Sequence, residues 1–168
     1  MTSSGVPLAV MDSIEITAIR TAAASAVAAK YLAREAAGSL AIIGCGLQGL
    51  QHVRALAIVR PVRSVTLFDA NEDAARVLGM HVERNAGLPV RIASSPAEAV
   101  QSADLVVTCT TSTEFLLHGN DVADGSFIAG VGVDAEHKRE LAPDLLRKSR
   151  VVVDVLEQCV AFGDLRHA

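Results

Sequence analysis

An α/β fold, built as a doubly wound parallel sheet with flanking helices, is predicted from three features of the sequence. Short apolar runs of strand length alternate with amphipathic segments and glycine turns along most of the chain. One of those turns, Gly44-Cys45-Gly46-Leu47-Gln48-Gly49, joins an apolar run to a helical pattern and matches G-x-G-x-x-G. Finally, hydrophobic residues make up 51% of the 168 residues but aromatic ones only 3%, with no Trp. A core of Ala, Val, Leu and Ile is the usual filling of a parallel sheet covered on both faces.

The same composition excludes several function classes. A net charge of −4 with scattered basic residues leaves no electrostatic footprint for nucleic acid. The three cysteines, Cys45, Cys109 and Cys159, are far apart and in no C-x-x-C arrangement, which speaks for a reducing compartment and against a disulfide frame. The histidines other than His137, namely His52, His81, His118 and His167, fall at no metal-ligand spacing, so no metal site is expected. The first residues lack the basic region of a secretion signal and no run reaches membrane-spanning length, so the cytoplasm is the expected location.

Taken in order, residues 7–11 read as a short strand, after which Asp12 and Ser13 turn the chain into an alanine-rich helix over 17–36, stopped near Gly38. Its alanines at 22–24, 26, 28 and 29 allow neighbours to approach closely. Arg20 lies near the first turn, where the helix dipole favours negative charge, so it either has another partner or is a solvated surface residue. Residues 40–43 read as a buried strand and 48–59 as a helix, with Leu50, Val53, Leu56 and Ala57 on one face and Pro61 past its end. A strand at 65–68, a helix over 72–85 stopped at Gly87, and a strand at 90–93 follow. Ser95-Pro96-Ala97-Glu98 is a capping box with proline at the first helical position, opening a helix that ends near Ser102. Then come a strand at 105–110, the turn Asp124-Gly125, a strand at 127–131, a helix at 144–148, a strand at 151–155 and a polar, mixed tail. The expected sheet order is 3-2-1-4-5-6, the Rossmann arrangement.

In the glycine loop, Gly44 permits the tight turn, Gly46 lets backbone approach a pyrophosphate, and Gly49 allows close helix–strand packing. Free N–H groups at the helix start then hold the anion. Asp69, ending the next strand, is at the expected distance to receive a ribose hydroxyl pair, and its charge repels a 2′-phosphate. NAD is therefore expected over NADP. Cys45 reads as a small residue fitting under the loop. The hydroxyls of Thr108, Thr110, Thr111, Ser112 and Thr113 lie at a strand's C-terminal end, where open α/β sheets bind ligands; a loop that caps its own backbone is the equal alternative. A second glycine-marked strand end carries Asp134, which is either a catalytic carboxylate or a helix cap. His137, close by, reads as solvent-facing.

With these pieces placed, the chain resembles the ornithine cyclodeaminase/mu-crystallin family. The matching residues are the helix start Ile16-Thr17-Ala18-Ile19-Arg20-Thr21-Ala22-Ala23, the loop IIGCGLQG, the segment TCTTS at residues 108–112, and GVGVDAEHKREL at residues 130–141. The resemblance implies an NAD-dependent oxidoreductase or cyclodeaminase acting on the Cα–N bond of a small amino acid or cyclic imine, within a homodimer. A nucleotide- or small-ligand-binding module without turnover is the alternative. By similarity Asp134 matches the catalytic carboxylate and Arg20 the arginine that holds the substrate carboxylate beside the nicotinamide. Arg20, Gly44, Gly46, Leu47, Gln48, Gly49, Asp69, Thr110, Val131 and Lys138 match cofactor-contacting positions. Lys138 has a plainer reading as a surface ion-pair partner of Asp134. The resemblance covers about the central half of a family chain: residues 1–38 would link to a substrate and dimerisation region, 39–155 form the NAD-binding domain, and 156–168 a tail.

Overall fold

The apolar runs pair as strands covered on both faces should. In the computed structural model, which describes residues 5–168, strands β1 (Ser39–Ile43), β2 (Ser64–Phe68), β3 (Val90–Ile92), β4 (Leu105–Thr108) and β5 (Phe127–Gly130) form one sheet in the order β3-β2-β1-β4-β5. Every pairing is parallel, with Leu40 of the central strand opposite Val65 on one side and Leu105 on the other. The two-residue period of a strand then divides the core. Leu40, Ile42, Leu105 and Val107 face α2 (Leu47–Val59) and α3 (Glu72–Ala86). Ala41, Ile43 and Val106 face the opposite layer, which includes α4 (Pro96–Val100) and α5 (Pro143–Lys148). Each fully buried Leu or Ile contributes ~1.5–3 kcal/mol by leaving water.

Local chemistry sets the helix ends. The Asn71 side chain accepts the Asp73 N–H at the start of α3, and Gly87 ends that helix in the left-handed conformation, φ +64°. At α4 the Ser95 hydroxyl accepts the Glu98 N–H, but Glu98 reaches one residue further back than a simple capping box requires and accepts the N–H and hydroxyl of Ser94. The alanine-rich helix, α1 (Ile14–Leu32), begins earlier than expected because Asp12 accepts the Ile14 N–H. It also stops earlier: Ala33 turns extended and the Arg60 guanidinium takes the carbonyls of Lys30 and Ala33. Its buried residues Ala18, Ala22, Ser25, Ala26 and Ala29 form one face, which lies against α2.

Three expectations are corrected. Residues 7–11 form no strand; Leu8, Val10 and Met11 are exposed, and among the described residues no strand lies beside them to complete a ladder. Residues 151–155 form no sixth strand either, and Val151, Val152 and Val155 face solvent. The tail, read as merely polar, folds into α6 (Leu156–Phe162) and a 3-10 turn (Asp164–His167). Asp164 accepts the N–H groups of Glu140 and Leu141, Arg166 pairs with Glu136, and His167 meets Phe115 edge to face. Among the described residues no helix is long and apolar enough to cross a membrane.

One carboxylate ties the N-terminal ends of β1 and β4. Asp104 accepts the Gly38 and Ser39 N–H groups and the Ser39 hydroxyl, and pairs with Arg34 at 2.6 Å. The Gly38 N–H, then the Ser39 groups and Arg34, outweigh partial burial and hold its carboxyl down at about 2 against an ordinary 3.8. A carboxyl depressed on folding stabilises the fold above its unfolded pKa, and that contribution is lost as pH falls through the folded value. Chemical-denaturation midpoints of the wild type should therefore drop as pH falls from 3.8 toward 2. Asp104→Ala should lower stability at neutral pH by ~2 kcal/mol and flatten this part of the profile.

Candidate functional site

The glycine loop lies at the C-terminal edge of β1, where an open parallel sheet presents its ligand crevice. Its three glycines are required for different reasons. Gly44 has φ +102°, a left-handed conformation, donates its N–H to the Phe68 carbonyl, and leaves no room for a side chain: an added Cβ would sit 2.6 Å from the Cys109 carbonyl oxygen. Gly49 is buried in the first turn of α2, where a Cβ would collide with the Gly44 carbonyl. Gly46, by contrast, has an ordinary extended backbone and open space where its Cβ would be. Nothing in the fold itself demands glycine there.

Gly46 is also the N-cap of α2, and it supplies no side-chain cap; nor does the first turn carry an acidic residue. The first N–H groups of a helix lack intrahelical partners. At α3 a capping Asn and two acidic residues answer them. At α2 the N–H groups and the positive end of the dipole face an exposed loop, the arrangement that takes an anion. Leu47 is exposed, while Gln48 is half-buried with its Oε1 shielded and without a hydrogen-bond partner among the described residues.

Asp69 stands beside this loop. It accepts the Cys45 N–H at 2.7 Å and the Asn71 N–H at 2.8 Å, so it both shapes the loop and remains half-exposed with lone pairs for further donors. Burial, aided by the Asp69 charge, pushes the Cys45 thiol up to about 12, which makes Cys45 an inert packing residue as its size implies.

Beside the loop, Thr110 and Val131 lie just past the ends of β4 and β5, strands joined there by the Val131 N–H to the Thr108 carbonyl. The threonine series divides. Thr108 is fully buried and donates its hydroxyl to Glu140 at 2.8 Å, so its side chain is no ligand contact. Thr110 Oγ1 accepts the Ser112 N–H, and Ser112 is hydrogen-bonded in turn to the backbone of Glu114, so this loop caps its own backbone. Thr111 and Thr113 are exposed.

Asp134 follows β5 in an exposed loop and pairs with Lys138 at 2.6 Å. The Lys138 hydrogen bond, ahead of slight burial, holds its carboxyl below the usual range. Asp134 is thus an ionised carboxylate, open to solvent, with a largely covered lysine against it. His137 is exposed, as its position implied. Arg20 is exposed on α1, and among the described residues it forms no ion pair and makes no hydrogen bond to Asp134 or to the loop.

Glu140 escaped the residue-by-residue reading. Its carboxylate is wholly buried, Oε1 accepting the Thr110 N–H and Oε2 the Thr108 hydroxyl and the Gly132 N–H, all within 2.8 Å. Burial pushes its carboxyl above the ordinary range, and those donors, which all point at the carboxylate, offset the rise only in part. It also fills the space that a side chain at Gly132 would need. The one local sign of it was Thr108, a hydroxyl at the end of an otherwise apolar strand. His52 was likewise passed over: it is fully buried and bridges α1 to α2, with Nε2 2.9 Å from the Ser25 hydroxyl and Nδ1 2.8 Å from the Gln48 carbonyl.

The family model of the ornithine cyclodeaminase/mu-crystallin proteins matches residues 1–167. The chain belongs to that family. Among similar proteins of the family is the ornithine cyclodeaminase of Agrobacterium tumefaciens, 35% identical over 165 residues that make up 97% of this chain and 46% of that protein. Among solved structures, the Thermococcus litoralis Δ1-pyrroline-2-carboxylate reductase in complex with NADH and L-proline superposes with a TM-score of 0.94 at 34% identity, covering 98% of this chain and 51% of that one. An archaeal alanine dehydrogenase dimer with bound NAD gives 0.91 at 34% identity, with the same two coverages, 98% and 51%. The chain therefore spans about half the length of these family members. The Rossmann-type sheet of the family is the sheet described above.

Proposed function

We propose that this chain is the coenzyme-binding half of an NAD-dependent oxidoreductase acting on the Cα–N bond of a small amino acid or cyclic imine, with cyclisation and loss of ammonia as a related outcome. The observation that carries this reading is the open space at Gly46, a glycine the fold does not need, over an uncapped helix start. The N–H groups of Gly46, Leu47 and Gln48 would hold the diphosphate, Gly44 and Gly49 shape the turn, and Asp69 would receive the adenosine ribose hydroxyls. Thr110, Val131 and Lys138, past the ends of β4 and β5, would contact the other end of the coenzyme. The bound nicotinamide ring would accept or give up the hydride.

The chain's own groups have the chemistry the substrate end needs. Asp134 is ionised and solvent-accessible, so it would take or return the amine proton or orient a water, with Lys138 fixing its position. Arg20 is exposed and forms no ion pair among the described residues, so its guanidinium would hold a substrate carboxylate. Assembly as a homodimer is part of the proposal: Ile16, Ile19, Val27 and Tyr31 leave an apolar stripe exposed along α1, and the alanine dehydrogenase relative is a dimer. The cytoplasm is the proposed compartment, consistent with three free cysteines.

Titration of NADH and NADPH, followed by nucleotide fluorescence, tests the coenzyme assignment. NADH should bind at least tenfold tighter, and Asp69→Ala should narrow that preference by about tenfold, equivalent to ~1.4 kcal/mol. Equal affinities in the wild type would remove Asp69 from the ribose site. In the assembled enzyme, with pyrroline-2-carboxylate consumption read as loss of NADH absorbance, Asp134→Asn should lower kcat by roughly 100-fold or more without changing NADH affinity. A variant with wild-type kcat would exclude Asp134 from the chemistry.

A further inference from the structure

We infer, resting on the dinucleotide reading above, that Glu140 sets the preference between the two redox states of the coenzyme, its buried charge favouring the oxidised, cationic nicotinamide over the reduced, neutral one. Three observations meet at this side chain. Its carboxylate is completely buried, and each partner is a neutral donor: the Thr110 N–H, the Thr108 hydroxyl and the Gly132 N–H. No lysine, arginine or histidine among the described residues forms an ion pair with it, in contrast to Asp134 with Lys138 and Glu136 with Arg166. Its anchoring groups belong to Thr110 itself and to Gly132, the residue after Val131, so the charge sits at the two strand ends assigned to the coenzyme's reactive half.

The physical consequence follows from charge alone. Loss of a hydride, one proton with two electrons, turns the neutral dihydronicotinamide into a cation. A fixed anion in a poorly solvated wall attracts that cation and leaves the neutral ring nearly indifferent, because opposite charges interact strongly where water is excluded. The hydrogen-bonding role of Glu140, tying β4 to β5, acts on both redox states alike. Its charge acts on one.

The test is the ratio of the dissociation constants for NAD+ and NADH, measured by calorimetry on the wild type and on Glu140→Gln, Glu140→Asp and Thr108→Val, each checked for a cooperative thermal melt. Glu140→Gln should raise the ratio, weakening NAD+ relative to NADH, by about tenfold. Glu140→Asp keeps the charge and should stay within about twofold of the wild type. Thr108→Val loosens the clasp without removing the charge and should weaken both coenzymes together or neither. Glu140→Met, neutral and of similar length, serves in place of a glutamine variant that does not melt cooperatively, with the same expected shift. An unchanged ratio in a folded neutral variant, or the same shift in Thr108→Val, overturns the inference and leaves the coenzyme site standing. Absence of heat with both nucleotides in the wild type overturns the coenzyme site itself.

Discussion

Alanine in place of Gly49 is expected to destabilise the protein by ~3 kcal/mol or more, in the range of overpacked cores and strained backbones. The reason is geometric. The added methyl would overlap the carbonyl of Gly44, a backbone atom that cannot swing aside as a flexible side chain would, with the Ile42 side chain 3.1 Å away on the other side. Gly44 in turn is held at φ +102° by its N–H bond to Phe68 and by the Cys109 backbone, so the collision passes into β1, β2 and β4 together. Relief requires α2 to move off the sheet, opening the contacts of Val53 and Leu56. Denaturant unfolding should show a lowered midpoint, with coenzyme affinity falling as a secondary effect. A variant within about 0.5 kcal/mol of the wild type would mean that α2 does not pack as described.

Gly46→Val should do the opposite, abolishing coenzyme binding while leaving the fold unharmed. The backbone at Gly46 is extended, φ −80° and ψ −160°, open to any L residue, and no atom lies within 4 Å of where its Cβ would be. Stability is therefore expected to fall by no more than about 1 kcal/mol, the cost of a poorer N-cap residue. The same empty space is where a diphosphate must approach the N–H groups of the helix start. An isopropyl group there blocks that approach, and NADH affinity should fall by about 100-fold or more, ~2.7 kcal/mol. Unimpaired binding would show that the nucleotide does not use this face of the loop. The two glycines, three residues apart in one motif, thus separate a requirement of the fold from a requirement of the ligand.

Much of the fold could be read from local pattern, because its decisive features are local. β1 and β4 are continuous apolar runs, as strands buried on both faces must be, and α3 carries its own start and stop signals in Asn71 and Gly87. The failures concern features that depend on distant parts of the chain. Residues 7–11 and 151–155 have strand-like composition, but a strand exists only where another lies beside it, and among the described residues none does. At the site, the glycine loop and Asp69 were legible because the dinucleotide motif is a short-range spacing. Glu140 was not, since its partners stand 32, 30 and 8 residues away and nothing in the sequence marks it as buried. His52 is similar: only the packing of α1 on α2 brings Ser25, 27 residues earlier, to its ring. The tail escaped for the same reason, as Asp164 finds its donors at Glu140 and Leu141.

The central claim, that backbone amides at the start of α2 hold the diphosphate of NAD, is tested most directly by following each backbone amide by NMR during an NADH titration. The account predicts saturable shifts that are largest at Gly46, Leu47 and Gln48, accompanied by slowed hydrogen exchange at those amides. Unperturbed amides at these three residues when NADH is bound would contradict it.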